Sequence, residues 1–242
     1  MELNEKNILV VGGSSGIGLS LVKLLHQQNA NVYVVSRSIA DEWPGTVHYL
    51  KADVTGNLDG LEVFLPQSLH GLVYSVGSIN LKPFIRLTDE DFLNDFRLNV
   101  LGAASVIRQA VGPLKKASGA SIVLISSVAA STGMPYHASI AAAKGAVEVA
   151  VEGLALSLAA EFAVQQIRVN VAAPALTDTP LAQNLLSTPE KREASAKRHP
   201  LGKIGRPEDI SRLIAFLLSE ESSWMTGQIV GIDGGLGNLK TS

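Results

Sequence analysis

The stretch that decides the fold lies near the amino terminus and reads Ile8-Leu9-Val10-Val11-Gly12-Gly13-Ser14-Ser15-Gly16-Ile17-Gly18. Its apolar, mostly β-branched beginning predicts a short strand that ends at the paired glycines. Apolar residues at helical spacing follow, from Ile17 to Leu25, and predict a helix that ends near Asn29. A second apolar run, Val32–Val35, predicts the next strand. Together they make a βαβ unit, whose parallel strands need helices on both faces of the sheet.

The same alternation continues along the chain. Further strand candidates are Val47–Leu50, Gly71–Val76, Ser121–Ile125, Arg168–Ala172 and Gln228–Ile232. Helices are predicted over Asp89–Ala110 with Thr88 as N-cap, over Ala141–Ala163, and over Pro207–Leu218. The connection Ser38–Thr46 contains Trp43-Pro44-Gly45 and is too short for a full crossover helix, so we expect a turn there.

These patterns indicate an α/β fold, a Rossmann-type doubly wound parallel sheet of about seven strands in a single domain. We expect that one domain to span residues 1–242, with a cofactor half over about 1–120 and a catalytic and substrate-lid part over about 121–242.

Composition excludes several classes of protein. The 242 residues contain no cysteine, which excludes disulfides and cysteine-built metal sites, and we expect no metal. The 20 basic and 22 acidic residues give a net charge of −2, unlike a nucleic-acid binder. No apolar stretch approaches the roughly 18 residues of a membrane span, and the first residues lack a secretory pattern. We therefore expect a cytoplasmic protein that binds neither nucleic acid nor membrane.

The glycines and serines after the first strand favour a phosphate-binding turn. Glycine permits a tight turn, and the backbone N–H groups at the start of a helix attract an anion such as pyrophosphate. A glycine-rich turn without a ligand could have the same sequence, so the motif alone does not decide. Its candidate cofactor-binding residues are Gly12, Ser14, Ser15, Gly16, Ile17 and Gly18.

The loop spacing is Gly-x-x-x-Gly-x-Gly, and further short motifs follow it in order. They are Asp53-Val54, Asn99-Val100-Leu101-Gly102, Ile125-Ser126-Ser127, Pro174-Ala175-Leu176-Thr177-Asp178-Thr179, Pro200-Leu201-Gly202 with Pro207-Glu208-Asp209, and Thr226-Gly227-Gln228 with Asp233-Gly234-Gly235. Over nearly the whole chain they resemble the classical short-chain dehydrogenase/reductase family, with Ala175 where the family has glycine. The resemblance implies a nicotinamide dinucleotide cofactor and a small carbonyl or alcohol substrate.

The resemblance also implies which residues hold the cofactor beyond the glycine turn. These are Asp53, Val54, Ser75, Val76, Gly77, Lys144, Pro174, Thr177 and Thr179. One segment departs from the family, because Tyr74-Ser75-Val76-Gly77 stands where it usually has Asn-Asn-Ala-Gly. The asparagine cross-links between neighbouring strands are then missing, and we expect a weaker local scaffold.

Ser36 and Arg37 close the second predicted strand and bear on the choice of cofactor. An acidic residue there would bind the free ribose 2′-hydroxyl, whereas a hydroxyl and a guanidinium suit a 2′-phosphate. A solvated surface arginine is the alternative. The position favours NADP(H) over NAD(H).

The catalytic positions are incomplete. In the family a tyrosine donates the proton, a lysine four residues later holds the ribose and lowers the tyrosine pKa, a serine orients the carbonyl and an asparagine anchors a relay water. Asn99, Ser127 and Lys144 match three of these positions, but Ile140 occupies the tyrosine slot. Isoleucine cannot donate a proton, and losing a positioned acid costs roughly 10²–10⁴ in rate.

Other alignments of this region stay open. Tyr136-His137-Ala138-Ser139-Ile140 resembles the family's Tyr-x-Ala-Ser-Lys with isoleucine in the lysine slot, so Tyr136 is a further catalytic candidate. The segment from Lys144 to Asn170 is about four residues longer than the family pattern. Counting back from Asn170 instead puts Lys144 in the tyrosine slot and Glu148 in the lysine slot.

Two functions remain from the sequence. One is an NADP-dependent oxidoreductase that interconverts a carbonyl and an alcohol, and the other is a catalytically silent NADP-binding protein that acts as a sensor or partner subunit. The segment Leu176–His199 is expected to form a lid over the substrate. The resemblance implies a homodimer or homotetramer that pairs through the helices predicted over Asp89–Ala110 and Ala141–Ala163.

Overall fold

The computed structural model describes residues 2–128 and 155–239, and within them the chain forms one parallel sheet. Its seven strands are β1 (Asn7–Val11), β2 (Asn31–Ser36), β3 (Val47–Lys51), β4 (Gly71–Tyr74), β5 (Ser121–Ile125), β6 (Arg168–Pro174) and β7 (Ile229–Ile232). They lie in the order β3-β2-β1-β4-β5-β6-β7. The predicted doubly wound α/β fold is confirmed, and the order reverses between β1 and β4, where such sheets bind their ligands.

Helices connect the strands. They are α1 (Gly16–Gln27), α2 (Leu61–Phe64), α3 (Asp89–Phe96), α4 (Gly102–Lys116), α5 (155–162), α6 (Pro189–Lys197) and α7 (Pro207–Leu218). Short 3₁₀ turns occur at Phe84–Arg86, Ala163–Gln165, Pro180–Leu186 and Glu220–Ser222. None of the helices in the described parts of the chain combines the length and apolarity that crossing a bilayer requires.

Each face of the sheet carries its own apolar core, because successive strand residues point to opposite faces. Leu9 and Val11 belong to the cluster that packs under α4 and α5. Ile8 and Val10 belong to the cluster that packs under α1 and α7. Burial on both faces explains why the strands appear in the sequence as continuous apolar runs.

The helix predicted over Asp89–Ala110 is divided in the structure. Thr88 caps α3 as predicted, and a π-helical turn at Arg97–Leu101 separates α3 from α4, which continues to Lys116. Wide turns of this kind are frequent at functional sites. Of the helix predicted over Ala141–Ala163, α5 is described, and residues 141–154 lie outside the described residues.

The short connection after β2 contains no helix, which confirms the expected turn. Trp43 holds this connection on the glycine turn, because its indole Nε1 donates to the Gly13 carbonyl at 2.9 Å. An ion pair between Glu42 and Lys23 of α1 adds a second attachment. The connection therefore packs against the loop that follows β1.

Candidate active site

A cleft of about 1340 Å³ opens at the carboxyl ends of the strands, around the point where the strand order reverses. It brings together most of the site residues that the sequence predicts. These are Gly12, Ser14, Ser15, Gly16, Ile17, Ser36, Arg37, Asp53, Val54, Ser75, Val76, Gly77, Ser127, Pro174, Thr177 and Thr179. Among the predicted residues that the structure describes, Gly18 and Asn99 do not line it.

The glycine turn depends on residues without a side chain. Gly12 has φ of +88°, and a Cβ there would lie 2.8 Å from the backbone oxygen of Ser75. A Cβ at Gly18 would overlap the Gly12 carbonyl oxygen. Gly18 does not line the cleft. Its role is steric, because the missing side chain lets α1 pack directly against the Gly12 backbone.

The start of α1 has the features of an anion-binding site. Its N-cap, Ser15, makes no side-chain capping bond, and the first turn of α1 contains no acidic residue. The N–H groups of that turn therefore point toward the cleft without a capping partner from Ser15. This arrangement fits the pyrophosphate that the sequence motif predicts.

Ser36 and Arg37 lie at the end of β2 and differ in whether their side chains are free to donate hydrogen bonds to a ligand. The Ser36 side chain is buried, and its hydroxyl donates to the Ser38 carbonyl at 2.7 Å. Arg37 is exposed, lines the cleft and forms no hydrogen bond or ion pair within residues 2–128 and 155–239. Because the Ser36 proton is already engaged, the guanidinium of Arg37 is the stronger donor to a ligand phosphate.

Asp53 faces the same end of the cleft as a fixed carboxylate. Its Oδ1 accepts from the Thr55 backbone N–H at 2.9 Å and from the Thr55 hydroxyl at 2.7 Å. These two bonds, with a smaller effect of the Arg37 charge, hold the pKa of Asp53 below its ordinary value. The carboxylate is therefore charged at neutral pH and can only accept hydrogen bonds.

Tyr74 partly replaces the asparagine cross-links that the sequence lacks. The ring is buried, and its hydroxyl donates to the Leu98 carbonyl in the π-helical turn at 2.5 Å. A Cβ at Gly102 would collide with that hydroxyl, so the ring needs a glycine there. Burial, with a smaller effect of the Asp53 charge, raises the pKa of Tyr74 far above its ordinary value. The phenol therefore stays protonated and acts as a structural donor.

The predicted catalytic residues are only partly described. Ser127 lines the cleft at the end of β5. Asn99 is buried in the π-helical turn, and its Nδ2 donates to the Asp95 carbonyl at 2.7 Å behind the cleft wall. Tyr136, Ile140 and Lys144 lie outside the described residues, as does Glu148.

The lid predicted over Leu176–His199 contains the 3₁₀ turn Pro180–Leu186 and α6. Asp178, just after β6, forms a bidentate ion pair with Arg192 of α6, with N–O distances of 2.7 and 3.0 Å. This contact, which lowers the pKa of Asp178, joins α6 to the first part of the lid, which carries Thr177 and Thr179.

Sequence reasoning missed two groups of cleft residues. One is at the end of the lid, where Ser195, Arg198 and His199 line the cleft. The His199 side chain is buried, and its Nδ1 bonds to the Ser195 carbonyl at 2.8 Å, whereas its Nε2 has no hydrogen-bond partner among residues 2–128 and 155–239. The other group lies in segment 77–83 after β4, of which only Gly77 was predicted. Its alternation of polar and apolar residues was a signal in the sequence that could have identified it.

The chain is similar to known proteins over nearly its whole length. A family model described as enoyl-(acyl carrier protein) reductase matches residues 11–237. The 3-oxoacyl-(acyl-carrier-protein) reductase of Thermotoga maritima is 34% identical, over 98% of this chain and 99% of that protein.

Solved structures agree with the sequence comparison. A short chain dehydrogenase family protein from Francisella tularensis has a TM-score of 0.87 and 31% identity, covering 96% of this chain and 98% of that chain. A structure described as ElxO with NADP bound has a TM-score of 0.86 and 27% identity, covering 96% of this chain and 98% of that chain.

Proposed function

The chain is a member of the short-chain dehydrogenase/reductase family, and from this premise we propose that it transfers hydride between NADP(H) and a small carbonyl or alcohol substrate. The observation that carries the proposal is the cleft itself. One cavity at the carboxyl ends of the strands collects the glycine turn, Asp53, Gly77 and Ser127. Relatives in the family are reductases and dehydrogenases, which supports the same reaction class.

The residues of the cleft fit a nicotinamide dinucleotide. Gly12 lets the backbone turn tightly, and the N–H groups at the start of α1, which the Ser15 side chain does not cap, suit the pyrophosphate. Asp53 and Val54 would contact the adenine, and Thr177 and Thr179 would contact the opposite end of the dinucleotide. The division into a cofactor half, about 1–120, and a catalytic and lid part, about 121–242, is part of this proposal.

The bound nicotinamide would supply or accept the hydride, and the chain supplies the rest. Ser127 would orient the substrate carbonyl, and Lys144 would hold the ribose. Asn99 does not line the cleft, so it would anchor a relay water only behind the cleft wall. Isoleucine at position 140 has no proton to give, so the proton must come from water or from Tyr136. We therefore expect slow turnover, reduced by roughly 10²–10⁴ relative to a chain with a positioned acid.

Turnover tests the proposal directly. The purified protein is assayed with NADPH and a broad panel of ketones and aldehydes, and the Ile140→Tyr and Ile140→Phe variants are assayed beside it. We expect slow reduction by the unmodified chain, and a gain with Ile140→Tyr that Ile140→Phe does not reproduce, because only the phenol can donate a proton.

A catalytically silent NADP-binding protein is the second candidate, and Ile140 in the tyrosine slot favours it. If the unmodified chain binds NADPH but reduces nothing, and Ile140→Tyr creates activity, the oxidoreductase proposal fails and the silent protein replaces it. If no variant binds either cofactor, both proposals fail.

The preference for NADP(H) rests on Arg37. We expect NADPH to bind more tightly than NADH, and the difference to collapse in Arg37→Ala, because the guanidinium is lost while the buried Ser36 hydroxyl remains engaged with Ser38. Binding is measured by titration calorimetry. Arg212→Ala is the matched control, since Arg212 lies on α7 and does not line the cleft. Equal affinities of the unmodified chain for both cofactors would contradict the preference.

We also propose a homodimer or homotetramer that pairs through α3, α4 and the helix predicted over Ala141–Ala163. Leu93 and Leu101 support this surface, because both are large apolar side chains and about half exposed.

A further inference from the structure

Segment 77–83 joins β4 to the 3₁₀ turn at Phe84–Arg86 and has two chemically different sides. Ile79, Leu81 and Pro83 line the cleft, and Ser78 at the start of the segment lines it as well. The alternate residues, Ser78, Asn80 and Lys82, form hydrogen bonds to α3. A period of two is that of an extended chain, so Asn80 and Lys82 face the helix while Ile79, Leu81 and Pro83 face the cleft. Ser78 contacts both the helix and the cleft.

Two carboxylates of α3 hold the polar side. Asp95 Oδ1 accepts from the Ser78 hydroxyl at 2.6 Å. Asp91 Oδ1 accepts from Lys82 Nζ at 2.6 Å and from Asn80 Nδ2 at 3.3 Å. Because Asp91 and Asp95 are four residues apart, they lie on one face of α3, one turn from each other.

The carboxylates are themselves fixed. The second oxygen of Asp91 accepts from the backbone N–H of Thr88 at 3.0 Å and so completes the cap of α3. The bonds from Lys82 and Thr88 hold the pKa of Asp91 well below its ordinary value, so it stays charged. Asp95 is 4% exposed, and its backbone carbonyl receives the Asn99 side chain. The segment is therefore attached to a helix start and to the π-helical turn at once.

The other side of the segment is an apolar wall. Ile79 and Leu81 are half-buried and line the same cleft as Leu181 and Leu185 of the lid. A polar substituent against this wall would lose water without gaining a hydrogen-bond partner from these side chains, whereas an apolar one gains free energy by burial.

We propose that Asp91 and Asp95 are positioning residues that fix segment 77–83, and that its apolar wall selects substrates that place an apolar group against Ile79 and Leu81. This inference rests on the proposed function for the substrate class alone. The attachment of the segment to α3 does not depend on turnover.

Lys82→Met tests the attachment, since it removes the ammonium but keeps the apolar stem. Lys116→Met is the matched control, because Lys116 is exposed at the end of α4 and does not line the cleft. We expect Lys82→Met to raise the amide hydrogen exchange of residues 78–86 about three- to tenfold, with exchange in 102–114 unchanged, because a charge-assisted bond is lost locally. Unchanged exchange in 78–86 would overturn the positioning role.

Substrate pairs test the wall. An unbranched alkyl ketone and its analogue with a hydroxyl at the chain end are compared in the unmodified chain and in Ile79→Asn. We expect the alkyl ketone to have the higher kcat/KM, and Ile79→Asn to reduce that ratio about tenfold, mainly through KM. If both ketones react equally well, the inferred selectivity is wrong while the proposed function stands. If no carbonyl compound reacts, the proposed function fails, and the exchange experiment still decides the attachment.

Discussion

Tyr74 shows how a single side chain can take over a structural task from a different residue type. The family usually has asparagine at this point, whereas here a buried phenol reaches from β4 to the Leu98 carbonyl. The bond lies between a strand and a π-helical turn that are 24 residues apart in sequence. Glycine at position 102 leaves room for the hydroxyl. The replacement therefore involves a pair of residues, and neither could be interpreted without the other.

Tyr74→Phe removes only the hydroxyl. We expect the free energy of unfolding to fall by roughly 1 kcal/mol, the usual net contribution of such a hydrogen bond, as measured by urea denaturation. Tyr49→Phe is the comparison, because the Tyr49 hydroxyl makes a longer bond, 3.2 Å to the Ser36 carbonyl, and the ring is only partly buried. A larger loss in Tyr49→Phe than in Tyr74→Phe would contradict this interpretation.

Individual site residues were predictable where the requirement is local. Gly12 and Gly16 have positive φ and lie close to other backbone or side-chain atoms, so both positions need a residue without a side chain. A glycine motif between a strand and a helix predicts this need from the sequence alone. The Tyr74 bond and the placement of Asn99 behind the cleft wall were not predictable, because they depend on contacts made by a distant turn.

Among the elements, the strands were predicted best. Burial on both faces makes the central strands β1, β4 and β5 largely apolar runs, and the predicted β5, Ser121–Ile125, agrees with the structure at both ends. β4 ends at Tyr74, two residues earlier than predicted, because Ser75 and Val76 turn into the cleft.

The helical elements show where sequence patterns stop being informative. Arg97–Leu101 contains ordinary helix-forming residues, and nothing in it signals a π-helical turn. Such a turn is set by how two helices fit against the sheet. Segment 77–83 is the opposite case, since its alternation is visible in the sequence but lies outside any regular strand, where alternation is seldom sought.

At the scale of the whole molecule, the titratable groups predict how stability depends on pH. Hydrogen bonds lower the pKa values of Asp53, Asp178 and Asp209 in the folded chain. Burial likewise lowers the pKa of His70, whose Nδ1 accepts from the Asn7 backbone N–H. When the folded pKa lies below the unfolded one, the group stabilises the fold above the unfolded value, and this contribution is lost as the pH falls through the folded value.

The melting temperature should therefore fall on acidification in two stages. The first begins below about pH 6.5, where an unfolded histidine gains its proton, and the second below about pH 4, where unfolded aspartates do. Calorimetry between pH 8 and pH 3 measures both stages. In His70→Asn the first stage should shrink while the second remains. A melting temperature that rises as the pH falls from 6.5 to 4 would contradict the assignment.

The bond from Trp43 to the glycine turn also gives the molecule an optical property. The chain has two tryptophans in different surroundings. Trp43 is partly buried beside the glycine turn, whereas Trp224 is 100% exposed. A water-soluble quencher would quench the fluorescence of the exposed Trp224 more strongly than that of Trp43. The remaining emission comes from an indole next to the cleft, in the range where a reduced nicotinamide absorbs. If a reduced nicotinamide occupies the cleft, the fluorescence of Trp43 should therefore fall, which would allow binding to be followed without a label.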